Sequence, residues 1–352
     1  MPTPELLREL ITAAGPSGHE SDPARVWREG CAAFAAEVGA DHLGSSFARV
    51  AGTGGGPALA IVGHIDEIGL HISHIDDDGY LHFGQVGGWD PVVLIGQRVR
   101  LDTRTGRLPG VIGRKPVHLI EEEDRKKVPQ VKALYIDIGA KDAEEARSRV
   151  RIGDVAVVDV SPVELPNGRL VSRALDNRVG CYVAAHAAAL VADAGGSPGD
   201  VLALAVVQEE TTFAGSRTSA FARKPDLAIA VDLTFATDQP GIELGPITKH
   251  ALGSGPVIAR GTTLHPRIFE LLHETAEEEQ IPFTVESLGK GTGTDADAIH
   301  VSRSGVPTGL VSVPCRYMHS PVEMVCLDDI DAAARLIAAF AQRLSTGVSF
   351  ER

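Results

Sequence analysis

Long apolar runs that stop abruptly at acids and histidines constrain this chain more than any other feature. The run PALAIVGHIDEIGLHI (57–72) reaches His64, Asp66 and Glu67, and VLALAVVQEE (201–210) reaches Glu209 and Glu210. LAIAVDLT (227–234) reaches Asp232, and GVPTGLVSVP (305–314) is followed by CRYMHSP with His319. Apolar runs bounded by Gly and Pro read as fully buried strands of an α/β sheet. Asp176, in RALDNRVG, stands at the start of an Ala-rich helical stretch, 177–195. Ligands of open α/β sheets bind outside the carboxyl ends of the strands, so the pattern predicts that these residues share one site.

Between 67 and 161 the rhythm changes. Short β-branched pieces such as QRVRLDT, LPGVIG, ALYIDIG and DVAVVDV alternate with Gly, Asp and Pro, with one helical interruption at 141–150. That is the pattern of a small antiparallel sheet or barrel. Helical spacing governs 4–13, 23–39, 267–281 and 327–344. The expectation is an α/β protein: a catalytic domain of 1–66 and 162–352, its mixed sheet flanked by helices, with a β-rich, barrel-like domain inserted at 67–161. The length of 352 residues suits about two domains. The insertion is expected to lie far from the strand ends, with no chemical task. A small sheet leaves edges that a symmetric partner can cover. GGWDPVVLIG, with Trp89, offers either an apolar dimer contact or packing inside the insertion.

A net charge of −14 opposes phosphate contacts, so neither nucleic acid nor an anionic membrane surface is expected as a partner. MPTPELLRELITAAG lacks the basic start of a signal peptide, and no run reaches membrane-spanning length. Cys31, Cys181, Cys315 and Cys326 are scattered and read as reduced thiols of a cytoplasmic protein. HIDDDGY reads as a hairpin turn and EEEDRKK (121–127) as a solvated loop.

The strand-end residues form a donor set of imidazoles and carboxylates without thiolate. Such a set suits a catalytic zinc, cobalt or manganese site. Five ligands exceed the need of one open ion and match two ions sharing a bridging carboxylate. Taken singly, each residue has an ordinary explanation: an Asp opening a helix is usually a cap, and a strand-end His is usually a hydrogen-bonded residue. Two acids directly after VLALAVV are costly unless paired or metal-bound.

The motifs GHIDEIGL, HIDDDGYLHF, GGWDPVVLIGQRV, ALDNRVG, VVQEE, VDLT and MHSPVEMV occur in the order found in the tetrahedral (TET-type) aminopeptidases, and the chain resembles that family from about residue 10 to 340. The family's members are sometimes labelled glutamyl aminopeptidases, and in places endoglucanases. The resemblance implies a two-metal aminopeptidase acting on short peptides. In it, His64 and Asp232 hold the first ion, Glu210 and His319 the second, and Asp176 bridges them. It further implies Glu209 as general base and Asp66 as the acid orienting His64. Two zinc or cobalt ions per subunit follow, as do dimers built through the insertion and a dodecamer of six dimers. The loop GKGTGTDADA (289–298) resembles the substrate-side loop, with Thr294 and Asp295 as candidate contacts. One departure is TTF in VQEETTFAGSR, which leaves the ligands intact and bears on substrate preference. The lack of a basic cluster near the motifs favours neutral or apolar residues at the cleaved position.

Two other functions fit parts of the pattern. A deacylase or carboxypeptidase on a similar scaffold would bind a substrate carboxylate and process N-acyl substrates. A non-catalytic metal scaffold would have no need of a non-ligand base such as Glu209. A glycosidase fits poorly, since adjacent Glu209 and Glu210 are expected to point to opposite sides of a strand.

Overall fold

The computed structural model describes residues 2–123, 125–243 and 248–351. The chain begins with the helices Glu5–Thr12 and Ser21–Cys31 and the strands β1 (Glu37–Ala40), β2 (Ser46–Val50) and β3 (Leu59–His64). Six strands follow: β4 (Gly69–Ile75), β5 (Leu81–Val86), β6 (Arg98–Thr103), β7 (Gly106–Arg114), β8 (Leu134–Asp137) and β9 (Val155–Val158). Then come β10 (Val163–Leu165), β11 (Arg169–Ser172), β12 (Val201–Val206), β13 (Leu227–Phe235) and β14 (Val257–Gly261). The series closes with β15 (Thr284–Leu288), β16 (Thr308–Cys315) and β17 (Glu323–Cys326).

An eight-stranded mixed sheet runs in the order β1-β2-β12-β3-β13-β16-β14-β15. Its centre, β12, β3, β13 and β16, is parallel. Both faces are covered, which is why these strands are apolar throughout instead of alternating. Leu59 and Ile61 face the larger core beneath the helices Leu175–Asp193 and Leu327–Arg343. Ala60 and Val62 face the other side, packed with Leu204, Ala220 and Ile299. The Ala-rich helix comes very close to β3: a Cβ on Gly63 would stand 2.3 Å from the Gly180 carbonyl carbon. Glycine at that crossing brings Asp176 beside the end of β3.

Strands β4 to β9 close into an antiparallel barrel in the order β4-β5-β8-β7-β6-β9. Closure removes the exposed edges that argued for a covering partner. Trp89 is buried in the barrel core and its Nε1 donates to the Gly69 carbonyl at 3.0 Å. It therefore packs within the insertion and is not a surface anchor. The Asp76 carboxylate accepts from the backbone amides of Asp78 and Tyr80, making the turn between β4 and β5.

Two elements differ from the sequence reading. The run 57–72 is two strands, because the chain leaves the sheet after His64 and enters the barrel at Gly69. The helix expected at 23–39 stops at Cys31, and Glu37–Ala40 pairs with β2, so tertiary pairing overrides local helical spacing. All four cysteines are buried and free. The described residues of 121–127 are exposed, and Asp124 lies outside the described residues. Among the described residues no helix is long and apolar enough to cross a membrane.

A buried ion cluster ties these layers together. Glu67, just past β3, accepts from Arg173 and, at 3.2 Å, from the fully buried Arg178. It also accepts from the Gly15 amide at 3.0 Å, and Arg178 reaches the Leu10 carbonyl at 2.9 Å. Arg178→Met should lower unfolding free energy by about 3 kcal/mol, since it removes one of the two guanidinium groups that balance a buried carboxylate and leaves Glu67 to Arg173 and the Gly15 amide alone. Urea denaturation followed by circular dichroism measures this, and an unchanged midpoint would show that the cluster contributes nothing to stability.

Candidate metal centre and active-site cleft

The parallel strands bring the acids and imidazoles to one side of the sheet. His64 closes β3 level with Val206 of β12, and Asp232 lies level with Ser312 of β16. Asp232 sits within β13, three residues before its end. After β12, Gln208 takes a left-handed conformation (φ 60°) and Glu209–Thr212 forms a single helical turn. The two glutamates are thus not on a strand, and both face the same cleft. His319 is in the turn between β16 and β17, also left-handed at φ 57°. Asp176 lies at the start of its helix with non-helical backbone angles (φ −81°, ψ 107°), and it is Asn177 Oδ1 that accepts from a helical amide, Gly180 N at 2.8 Å, while the Asp176 carboxylate faces the imidazoles.

Asp176 stands between the two imidazoles. Its Oδ1 is 3.2 Å from His64 Nε2, and its Oδ2 is 3.5 Å from His319 Nε2. Asp232 Oδ1 and Glu209 Oε2 are each 3.8 Å from His64 Nε2, and Glu210 Oε1 is 3.4 Å from His319 Nε2. His64, Asp176 and Glu210 each offer a donor atom within 4.8 Å of the others, as do His64, Glu209 and Asp232. The structure therefore brings His64, Asp176, Glu209, Glu210, Asp232 and His319 together. The second of these groupings includes Glu209 as a donor beside Asp232, an alternative to its reading as a base.

Asp66 lies directly behind. Its Oδ1 accepts from the Glu209 amide at 3.0 Å and stands 3.4 Å from His64 Nδ1, while its Oδ2 accepts from the Glu210 amide at 3.1 Å and from Ser17. One carboxylate thus fixes the turn carrying Glu209 and Glu210 from behind and lies beside the outer imidazole nitrogen. Thr294 lines the cleft, and its hydroxyl accepts from the Ala296 amide at 3.2 Å. Asp295 is buried, and its Oδ1 has no hydrogen-bond partner.

Several supporting residues were not singled out in the sequence. Glu323 is buried and accepts from the amides of Asp176 and His319, both at 3.0 Å, joining the two sides of the site. Its signal was an acid inside MHSPVEMV. The Gly88 carbonyl stands 2.8 Å from His319 Nδ1, which leaves Nε2 toward Asp176 and Glu210. Gly88 belongs to the barrel segment, so the insertion contributes directly to the site and is not remote from it. No residue type could have signalled a backbone carbonyl.

Burial dominates the charge balance. It pushes Glu209 up to about 10, helped by Asp232, Asp295 and Glu210 and opposed by His64. Burial likewise carries Asp232 well above the ordinary carboxyl range and raises Glu210. Asp176 is the exception: burial opposes its charge, but bonds to His319 and His64 hold it low. Burial works against a charged His319, yet Asp176 and Glu210 carry it up to about 11. Among the described residues lining the cleft there is no Lys or Arg to offset the acids. Hard oxygen and nitrogen donors crowded without a protein cation fit divalent ions.

An α/β sheet whose parallel strands deliver a thiolate-free cluster of acids and imidazoles to one cleft defines the class: a hydrolase-type scaffold suited to divalent metal. Residues 44–336 match the model of the M42 glutamyl aminopeptidase family, and the chain belongs to that family, whose members are aminopeptidases. It is 35% identical to the lysyl aminopeptidase of Pyrococcus furiosus, with 97% of each chain covered. The structure of the TET aminopeptidase from Thaumarchaeota archaeon SCGC AB-539-E09 superimposes with a TM-score of 0.91 at 34% identity, covering 97% of this chain and 96% of that one. The Pyrococcus horikoshii TET1 peptidase, described as assembling into a tetrahedron or a large octahedral shell, gives a TM-score of 0.84 at 33% identity, covering 97% of this chain and 99% of that one.

A Cβ on Gly88 would stand 3.3 Å from His319 Nδ1. Gly88→Val should displace the imidazole and lower aminopeptidase turnover by about 10–100-fold, with far-UV circular dichroism unchanged. Unaltered turnover would show that the barrel does not set the ring.

Proposed function

We propose that this aminopeptidase releases single residues from the N-termini of short peptides with two divalent ions, zinc or cobalt, in the cleft. The observation that carries the reading is Asp176, whose two oxygens each face a different imidazole. His64 and Asp232 would hold one ion, Glu210 and His319 the other, with Asp176 shared between them. When bound, a pair of divalent ions polarises the scissile carbonyl and makes water nucleophilic at neutral pH.

The chain's own residues do the rest. Glu209 takes a proton from the attacking water at its carboxylate and returns it to the leaving amine. For that it must be ionised, and adjacent dications favour the ionised form against the burial that raises it. Asp66 orients His64 and fixes the turn carrying Glu209 through its amide. Thr294 and Asp295 are assigned to the substrate side, Thr294 as a lining hydroxyl and Asp295 as a buried support behind it.

Chelation should abolish activity and zinc or cobalt should restore it. Glu209→Gln should retain both ions by elemental analysis while losing about 10²–10⁴-fold in turnover. Glu210→Gln should instead lower metal content. Near-normal turnover by Glu209→Gln would show that it is not the base, and loss of an ion from it would reassign Glu209 as a ligand.

We also propose dimers built through the barrel domain at 67–161, assembling into a dodecamer. Exposed aliphatic side chains on that segment support the contact, among them Val92, Val111, Leu119, Val128 and Ile152. A hollow particle would admit short peptides and exclude folded proteins. Light scattering should give a mass near twelve chains. A monomer at micromolar concentration with metal present would defeat the assembly and leave substrate-size selection unexplained.

A further inference from the structure

The cleft that holds the acid and imidazole cluster has a volume of about 530 Å³, and residues beyond the cluster line it too. One face of the sheet supplies much of its floor, because Asp232 and Thr234 on β13, Leu310 and Ser312 on β16, and Glu286 and Leu288 on β15 all line it. Period-two alternation accounts for Glu286: Val285, between Thr284 and Glu286, packs against the core on the opposite side.

Among the described residues, Glu286 is the one acid lining this cleft that belongs to neither the proposed ligands nor the proposed base. It is half-buried, and both its carboxylate oxygens lie 3.4 Å from Thr234 Oγ1. Thr234 follows Asp232 by two residues on one strand, a separation of about 7 Å. The Glu286 carboxylate therefore stands roughly one long side chain away from the reacting centre. Leu288, Leu310 and Met318 provide apolar wall.

A cleft with an apolar wall and a carboxylate set apart from the ligand cluster complements a side chain with a methylene stem and a cationic head. We propose that Glu286 selects a cationic residue, lysine or arginine, at the N-terminal position that is cleaved. This rests on the aminopeptidase reading and deepens it. It departs from the preference for neutral residues drawn from motif composition, because Glu286 lies on the edge strand β15, outside every motif. Burial raises the Glu286 carboxyl above its ordinary range, and a cationic head seated against it would counter that effect. An inward-pointing charge on an edge strand is also a known guard against strand pairing. That role would not discriminate between substrates.

The test compares lysyl and norleucyl chromogenic amides on the metal-loaded enzyme, since norleucine has the lysine stem without the charge. The wild type should favour lysine in kcat/KM. In Glu286→Gln the lysine-to-norleucine ratio should fall by about tenfold or more, mainly through KM. Glu286→Lys should shift preference toward a glutamyl amide. Release of both residues without charge preference in the wild type overturns the assignment alone. So does an equal loss on both substrates in Glu286→Gln, which would mark a structural role or one toward the α-amine. Release of neither residue by a metal-loaded wild type that cleaves the glutamyl amide overturns this assignment alone, and release from none of the three amides overturns the catalytic reading with it.

Discussion

The site rests on the buried charge of Glu67. This carboxylate draws together the turn at Gly15, the exit of β3 and the two arginines flanking the start of the helix Leu175–Asp193. Each segment then contributes to the cleft. The turn supplies Ser17 to Asp66, the strand ends in His64, and the helix start carries Asp176. A carboxylate so deeply buried is tolerable only because two guanidinium groups and an amide satisfy it. Paired in this way, Glu67 leaves its neighbour Asp66 to face the site.

The chain concentrates acids where burial makes ionisation costly, then relieves only some of them. Asp176 keeps its charge because it touches both imidazoles. Glu209 and Asp232 have less relief from the protein and are driven upward by burial. This imbalance distinguishes the cluster from the Glu67 network, where arginine cations stand next to the acid. The same fold thus builds one acidic centre that the protein neutralises itself and a second whose balance favours added positive charge.

The sequence made much of this legible. A buried strand ending in a polar residue has few uses, so AIVGHIDE, AVVQEE and AIAVDLT pointed to one edge of one sheet, where the structure brings their acids and imidazole together. The mixed α/β sheet and the β-rich insertion were equally readable, because the change of hydrophobic period marks them. What escaped were features without a residue-type signature. Composition does not encode the left-handed Gln208, which rotates Glu209 and Glu210 into one cleft. A barrel-like insertion was readable, but not which strands close it: β4 meets β9 across about eighty residues of chain. Trp89 was ambiguous for the same reason: an aromatic in an apolar run looks alike whether it packs inward or outward. Glu286 was invisible because its significance comes from the cavity that it faces.

The Gly88 contact changes how the barrel relates to the chemistry. A domain joined only by its chain connections could shift without disturbing the cleft. Here a barrel-segment carbonyl stands 2.8 Å from one nitrogen of His319, whose other nitrogen faces Asp176 and Glu210. Trp89, the next residue, is fixed in the barrel core by its bond to Gly69, so displacement of the barrel is transmitted to the imidazole through very few bonds. The surface of that barrel also carries many of the exposed aliphatic side chains. The route from barrel to imidazole runs through a backbone carbonyl, a path that a sequence of side chains alone does not contain.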